Sequence, residues 1–248
     1  MPKITINEID LTSPGLVNES SNLVYVPGLA KRLPKDFNIN KPRIYTSLKD
    51  FQYDFGDKVP TIGLGSDVAN HPGFDDGKAY DSGYIYATEL LRLGVPVLYS
   101  CVNNASNTYE DREGTTIESK PSDDKTEYWI KPLDDERYMR TGFIAAANTQ
   151  LGDTSGILSD KGLYNIKFIS NGGYEELNDA IYALAVKRQD CVALLDIKYT
   201  TNVKDLISSD SINLNELTTS LDLSSYDSVN GKYAAVFAPW GIYAPTSI

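Results

Sequence analysis

The residues in this chain whose types could do chemistry are few and scattered. His71, in Asn70-His71-Pro72-Gly73, is the single histidine among 248 residues. One imidazole in a turn-rich stretch, with no cysteine beside it, does not make the ligand set of a zinc site. A hydroxyl nucleophile would have only this one histidine to serve as its base, so a solvated turn histidine is the expected role. Asn171-Gly172-Gly173 stands where a glycine-rich loop would cradle a phosphate, between an apolar strand-length run and a helix start. Its spacing is neither GxGxxG nor GxxxxGK[ST], and Glu175 and Glu176 fill the first helical turn, where they would repel an anion. It reads as a tight turn from strand to helix. Ala193-Leu194-Leu195-Asp196 has the form of the strand and terminal aspartate that hold magnesium in P-loop proteins, without the lysine loop that would partner it. Asp134, Asp135 and Glu136 are consecutive, so their carboxylates need not converge, and Gly63-Leu64-Gly65-Ser66 has glycines without a lysine. These residues lead to the expectation of no catalytic residue, no cofactor and no metal, in a chain that is not an enzyme.

The elements that must position them follow from periodicity. Ile4 and Ile6 alternate with Thr5 and Asn7, ahead of Ile9, as in a half-buried strand, and Ser13-Pro14-Gly15 then breaks the run. Such a strand must find a partner for its backbone in the body or in another molecule. Asp81 or Ser82 is placed to cap a helix over residues 82–93 with Tyr84, Ala87, Leu90 and Leu91 on one face, and Gly94 and Pro96 end it. The apolar run Val95 to Val102 reads as a strand covered on both faces. Residues 103–140 carry ten acidic and six basic residues and read as an exposed polar insertion with a hairpin. Beyond it come strand Ile166 to Ser170, helix Tyr174 to Arg188, strand Cys191 to Ile197, one or two short helices between Val203 and Leu221, and strand Tyr233 to Ala238. In that first helix Leu177, Ile181, Leu184 and Ala185 form the apolar stripe, while Glu175 and Glu176 at its start and Lys187 and Arg188 at its end match the macrodipole. The expected class is α/β: a mixed, mainly parallel sheet with flanking helices plus an extended N-terminal strand arm. The divisions are an arm over 1–22, the first part of the core over 23–102, the insertion over 103–140 and a βαβ part over 141–248.

With 23 basic and 34 acidic residues the formal charge is −11, which repels a phosphate backbone. No apolar stretch approaches the roughly 20 residues that cross a bilayer, and the opening MPKITINEID has no apolar signal core. Direct nucleic-acid binding and membrane insertion are therefore not expected. Cys101 and Cys191 each lie in an apolar run and read as free, buried thiols.

Several segments, taken in order, resemble the contractile tail sheath family of bacteriophages and related injection machines. They are Ile4 to Gly15 followed by Leu23-Val24-Tyr25-Val26-Pro27-Gly28, then Pro42 to Phe51 with Phe55-Gly56, then Tyr84 to Tyr99. Phe168 to Tyr174, Arg188 to Asp196 and Tyr233-Ala234-Ala235-Val236-Phe237-Ala238-Pro239-Trp240 complete the series, the last being its most specific string. The resemblance marks Gly172, Gly173, Asp196, Tyr233, Pro239 and Trp240 as core motif positions, and Ile4, Thr5, Ile6, Asn7 and Ile9 as a strand donated between subunits. Family members usually continue well past the Pro-Trp strand, whereas this sequence stops at Ile248, so it is expected to hold the N-terminal and central portion. The implied function is a structural subunit that forms hexameric rings stacked helically around the tail tube. Its contraction would drive the tube through the host envelope for genome delivery. The implied partners are further copies of itself, the tail tube protein, and the baseplate and tail terminator proteins. The implied location is the virion tail, assembled in the host cell cytoplasm. The competing reading is a nucleotide-binding enzyme on an open α/β sheet, with its site near Gly172 and Asp196.

Overall fold

The computed structural model describes residues 22–65, 77–123, 126–152, 156–197, 207–208, 211–212 and 230–237. Ile4, Thr5, Ile6, Asn7 and Ile9, together with His71, Pro239 and Trp240, lie outside the described residues. The strands are β1 (Leu23–Gly28), β2 (Leu33–Pro34), β3 (Arg43–Tyr45), β4 (Thr61–Gly63), β5 (Lys78–Tyr80), β6 (Val97–Cys101) and β7 (Ala105–Glu110). They continue with β8 (Thr116–Ile117), β9 (Trp129–Pro132), β10 (Ile166–Ser170), β11 (Val192–Asp196), β12 (Ile207–Ser208), β13 (Ser211–Ile212) and β14 (Ala234–Phe237). The helices are α1 (Leu48–Phe55), α2 (Ser82–Arg92), α3 (Arg140–Gly152) and α4 (Asn178–Arg188).

Six strands form the main sheet in the order β14-β11-β10-β1-β6-β3. Five are parallel, and β3 runs antiparallel to β6 at one edge. Numbered by their place in the chain, the five parallel strands read 2-1-3-4-5 from β6, one of the two common orders of doubly wound sheets. The expected mixed, mainly parallel sheet with flanking helices is therefore present. Its centre is β1, buried along its whole length. Leu23 and Tyr25 enter the core shared with Phe143 and Ala147 of α3 and Ile181 and Ala185 of α4. Val24 and Val26 enter the opposite core with Phe51 and Phe55 of α1 and Tyr84 and Ala87 of α2. The side-chain period of two in an extended chain thus loads both faces from one strand, which is why the run is apolar throughout. In β10 the register against β1 jumps from Leu23–Ile166 to Val24–Phe168. Lys167 is the extra residue, and Ile166 and Ile169 face one core while Phe168 packs on the other.

Helix α1 starts at Ser47, whose hydroxyl accepts the Asp50 N–H at 3.4 Å, and its turn spacing puts Phe51 and Phe55 on one buried face. The Phe51 ring meets Tyr45, Phe55 and Tyr99 edge-on, with centroids 5.3, 5.4 and 4.8 Å away. Aromatic pairs at such spacings add to the area they bury. Helix α2 runs within the expected 82–93, and Gly94, at φ +75°, turns the chain into β6.

Three expectations are corrected. Residues 103–140 are not a merely exposed insertion: β7, β8 and β9 join β2 in a four-stranded antiparallel sheet. Its Trp129 is buried between the Arg32 guanidinium, 4.1 Å from the ring centroid, and the Tyr53 ring at 5.1 Å. The charges at its surface hide a sheet whose inner face is apolar. Within the interval assigned to short helices, Ile207–Ser208 pairs antiparallel with Ser211–Ile212. The helix expected from Tyr174 begins as a 3-10 turn over Glu175–Leu177 before α4, and Arg188 at its end is fully buried. Its guanidinium donates to the Leu158 carbonyl and, at 2.8 Å, to that of Tyr164, and pairs with Asp190 at 3.0 Å. It pins the approach to β10 against α4 rather than sitting on a solvated helix end. Helix α3 and the central place of β1 were not among the expected elements.

Truncating Phe51 to Ala should cost about 3–5 kcal/mol, because a ring that touches four others, Tyr84 among them, leaves a cavity they cannot close. Leu93→Ala, at a position 78% exposed, should stay within about 0.5 kcal/mol. Urea unfolding of the two variants measures the contrast.

Candidate functional site

In a doubly wound sheet the ligand crevice opens outside the carboxyl ends of the strands, where the chain order reverses. Here that place lies between β1, which ends at Gly28, and β10, which ends at Ser170. The turn after β10 puts Gly172 and Gly173 at φ +65° and +84°, a region that side chains rarely adopt. The amides that would face a phosphate are bonded within the turn. Gly172 N–H donates to Ser170 Oγ at 3.0 Å and Gly173 N–H to Asn171 Oδ1 at 2.9 Å. Asn171 Nδ2 in turn donates to Asn178 Oδ1 at 3.0 Å.

Backbone from three segments meets in the crevice. A Cβ on Gly172 would lie 3.0 Å from the Pro27 carbonyl oxygen and 3.2 Å from Gly83 Cα. One on Gly173 would lie 2.7 Å from Ser82 Oγ, and Gly83 itself rests on the Pro27 carbonyl with no room for a side chain. The first turn of α2 thus fills the space between the β1 exit and the glycine turn.

Asp81, the N-cap of α2, fastens this meeting point. Its Oδ2 accepts Leu29 N–H at 2.7 Å and Tyr84 N–H at 3.1 Å. Its Oδ1 accepts Gly83 N–H at 3.2 Å and the Tyr174 hydroxyl at 2.5 Å. Burial pushes its carboxyl up to about 6, against the four hydrogen bonds that favour the charged form. Tyr174 is held well above the usual phenol range by its own burial and by the Asp81 charge. The Arg140 guanidinium lies 5.1 Å from the Tyr174 ring centroid. It grips Glu176 with two bonds of 2.7 and 2.8 Å and reaches Glu175 at 3.0 Å. A polar chain therefore runs from Asp81 in the interior to Glu176 near the surface. A general base must reach its substrate's proton, and Asp81 has no exposed surface.

Asp196, at the end of β11, is half-buried. Burial raises its carboxyl while the Asn171 side chain lowers it, and Asn178 Nδ2 donates to its backbone carbonyl at 2.7 Å. Gly172, Gly173 and Asp196 are thus gathered at one edge through Asn171 and Asn178. Tyr233 is not with them: it precedes β14, whose Ala234 pairs with Ala193 near the start of β11, at the opposite edge of the sheet. Among the described residues no group of three or more His, Cys, Asp or Glu side chains is placed to hold a metal ion. Burial pushes the thiols of Cys101 and Cys191 up to about 12 and about 11, away from the reactive thiolate. Sequence reasoning took Asp81 only as a cap and missed its bond to Tyr174, 93 positions away. Its one signal is an acid directly before a helix start.

The raised Asp81 carboxyl sets a pH dependence. The folded chain holds its proton up to about 6, whereas an unfolded aspartate releases it near about 4. Its stabilising share is therefore complete below the unfolded value and lost as pH rises through the folded one. Asp81→Asn should be destabilised at every pH, because an amide cannot accept from all four donors. The parent's advantage over it should shrink by about 2–3 kcal/mol between pH 4 and pH 7, as read by urea unfolding at each pH. A pH-independent gap would remove the buried titration. No family model matches this chain, and no curated protein matches it.

Proposed function

We propose that this chain is a structural subunit of a bacteriophage contractile tail sheath. In this reading it polymerises helically around the tail tube and contracts to drive the tube through the host envelope for genome delivery. The observation that carries the reading is where the resembling segments fall. Leu23 to Gly28 is β1, Pro42 to Phe51 holds β3 and the start of α1, and Tyr84 to Tyr99 holds α2 and the start of β6. Phe168 to Tyr174 is the end of β10 and its glycine turn, Arg188 to Asp196 leads through β11, and Tyr233 to Phe237 leads through β14. All six strands of one sheet are touched, so the resemblance belongs to a single packed unit rather than to scattered strings.

The filled crevice supports the same reading. A nucleotide-binding enzyme on this sheet would need the Gly172 and Gly173 amides, which bond instead to Ser170 and Asn171. A subunit whose work is association needs a rigid body and surfaces that repeat without closing, as heterologous contacts do. Ile4 to Ile9 is the strand this reading assigns to exchange between neighbours. The partners are further copies in hexameric rings, the tail tube protein, and the baseplate and tail terminator proteins, within the virion.

Electron micrographs of the purified protein should show tubes. Single subunits at every concentration, with a melting point raised by ATP or GTP and magnesium, would overturn the sheath reading in favour of the enzyme. Deleting residues 2–12 should leave the melting temperature almost unchanged while abolishing the tubes, since a strand that pairs only with a neighbour adds little to the isolated body. A large fall in melting temperature would make it an ordinary first strand of its own fold.

A further inference from the structure

The sequence holds two Asn-Gly pairs, Asn171-Gly172 and Asn230-Gly231. We infer that Asn230 is a site of spontaneous backbone modification, while the fold protects Asn171 from the same reaction. The chemistry needs only water. The Gly231 backbone nitrogen attacks the side-chain carbonyl carbon of Asn230, and the new N–C bond closes a five-membered succinimide. The bond from that carbon to Nδ2 breaks, and the nitrogen leaves as ammonia, taking up the proton that the attacking nitrogen gives to solvent. Water then opens the ring at either carbonyl, giving aspartate or isoaspartate. Glycine favours the attack because no side chain hinders its nitrogen or restricts the rotation that brings it to the carbonyl. The reaction asks three things of the fold: a backbone that can rotate, an attacking N–H that can lose its proton, and access for water.

Asn171-Gly172 offers none of them. Asn171 is 1% exposed. The Gly172 N–H, which would have to attack, donates to Ser170 Oγ at 3.0 Å. The Asn171 side chain is held at both ends, its Oδ1 by Gly173 N–H at 2.9 Å and its Nδ2 on Asn178 Oδ1 at 3.0 Å. Rotation here is blocked by the Pro27 carbonyl and Gly83, which already crowd Gly172. Asn230-Gly231 is placed otherwise. Both residues are half-buried, at the start of the short 3-10 turn Gly231–Tyr233 that enters β14, the last strand at one edge of the main sheet. Tyr233 N–H closes that turn on the Asn230 carbonyl at 3.0 Å. A single turn at a sheet edge opens at less cost than a buried junction of three segments. The product adds a carboxylate at position 230, and isoaspartate also lengthens the backbone by one methylene. That extra length falls just before Ala234, whose pairing with Ala193 begins the register of β14 on β11. The modification therefore acts on the seating of an edge strand and leaves the Asp81 junction alone.

The experiment incubates the full chain at neutral pH, folded and in urea, and follows the peptides carrying Asn171 and Asn230 by mass spectrometry, with fragmentation that separates aspartate from isoaspartate. In the folded chain Asn230 should convert about tenfold faster than Asn171, because only its turn opens locally. In urea the two should convert at similar rates, since both precede glycine. Gly231→Ala, at a helical position, should slow conversion at 230 and leave that at 171 unchanged. If Asn230 converts no faster than Asn171 in the folded chain, the protection assigned to the fold is wrong. If the difference persists in urea, it belongs to the flanking sequence, and the inference falls as well. Neither result depends on whether the chain assembles, so the sheath reading is tested separately.

Discussion

The Asp81 carboxylate receives hydrogen bonds from three stretches of chain far apart in sequence: the β1 exit at Leu29, the first turn of α2 and Tyr174 beyond the glycine turn. An ionised carboxylate taken wholly out of water is costly, and four donors offset part of that cost, with burial still raising the carboxyl to about 6. The requirement runs both ways. Once α2 must begin at a buried acid, its backbone has to come within van der Waals reach of Pro27 and of the turn after β10. Gly83, Gly172 and Gly173 are the residues that let it do so. The switch point of the sheet is closed as a result, and β1, α2 and β10 are locked in one geometry.

Tyrosine hydroxyls extend the same solution outward. Tyr99 donates to the Leu29 carbonyl at 2.6 Å, Tyr138 to that of Ala30 at 3.2 Å, Tyr164 to that of Pro42 at 3.0 Å, and Tyr84 to that of Gly56. Each ring buries apolar area in the core while its tip satisfies a loop carbonyl that would otherwise lose its water. Asn103 completes the frame by accepting the Ala30 N–H at 2.7 Å. The described segments that follow β1 and β6 at the carboxyl edge are tied to the interior. The proposed sheath reading calls for such a rigid body.

What could be read from the sequence follows from how local the physics is. Strand β6 announces itself because a strand covered on both faces is a short continuous apolar run, β10 and β11 because strand-length runs alternate there with a helical stripe, and α2 because Asp81 and Gly94 bracket an apolar stripe. The central role of β1 was hidden by Pro27 and Gly28, which read as an ending although they still pair with Ser100 and Cys101. Helix α3 was hidden by Arg140 in its first turn, where a cation opposes the macrodipole. Only Glu175 and Glu176, 35 and 36 positions on, make that arginine acceptable. The small sheet over 103–140 was hidden by its charges, since Trp129 is buried by Arg32 and Tyr53 from another part of the chain. At the site, Gly172 and Gly173 were legible as a turn because glycine pairs have few other uses there. The Asp81–Tyr174 bond was not, because no local pattern encodes a contact across 93 positions.

The position of the remaining free surface then follows from what the interior has consumed. Among the described residues, the amides, carboxylates and hydroxyls around Asp81 and the turn after β10 bond to one another. At the β3 edge, Arg43 is held between Asp36 at 2.6 Å and Asp54 at 3.1 Å, and a short, charged edge discourages strand addition. The hairpin β4–β5 is different. Its inner residues Ile62 and Ala79 anchor it to the core, and Met139 packs over Gly63 on its outer face. Among the described residues, the amides that could meet a small anion at the switch point are bonded within the protein. The hairpin keeps Tyr80 half exposed, on the same face as Lys78.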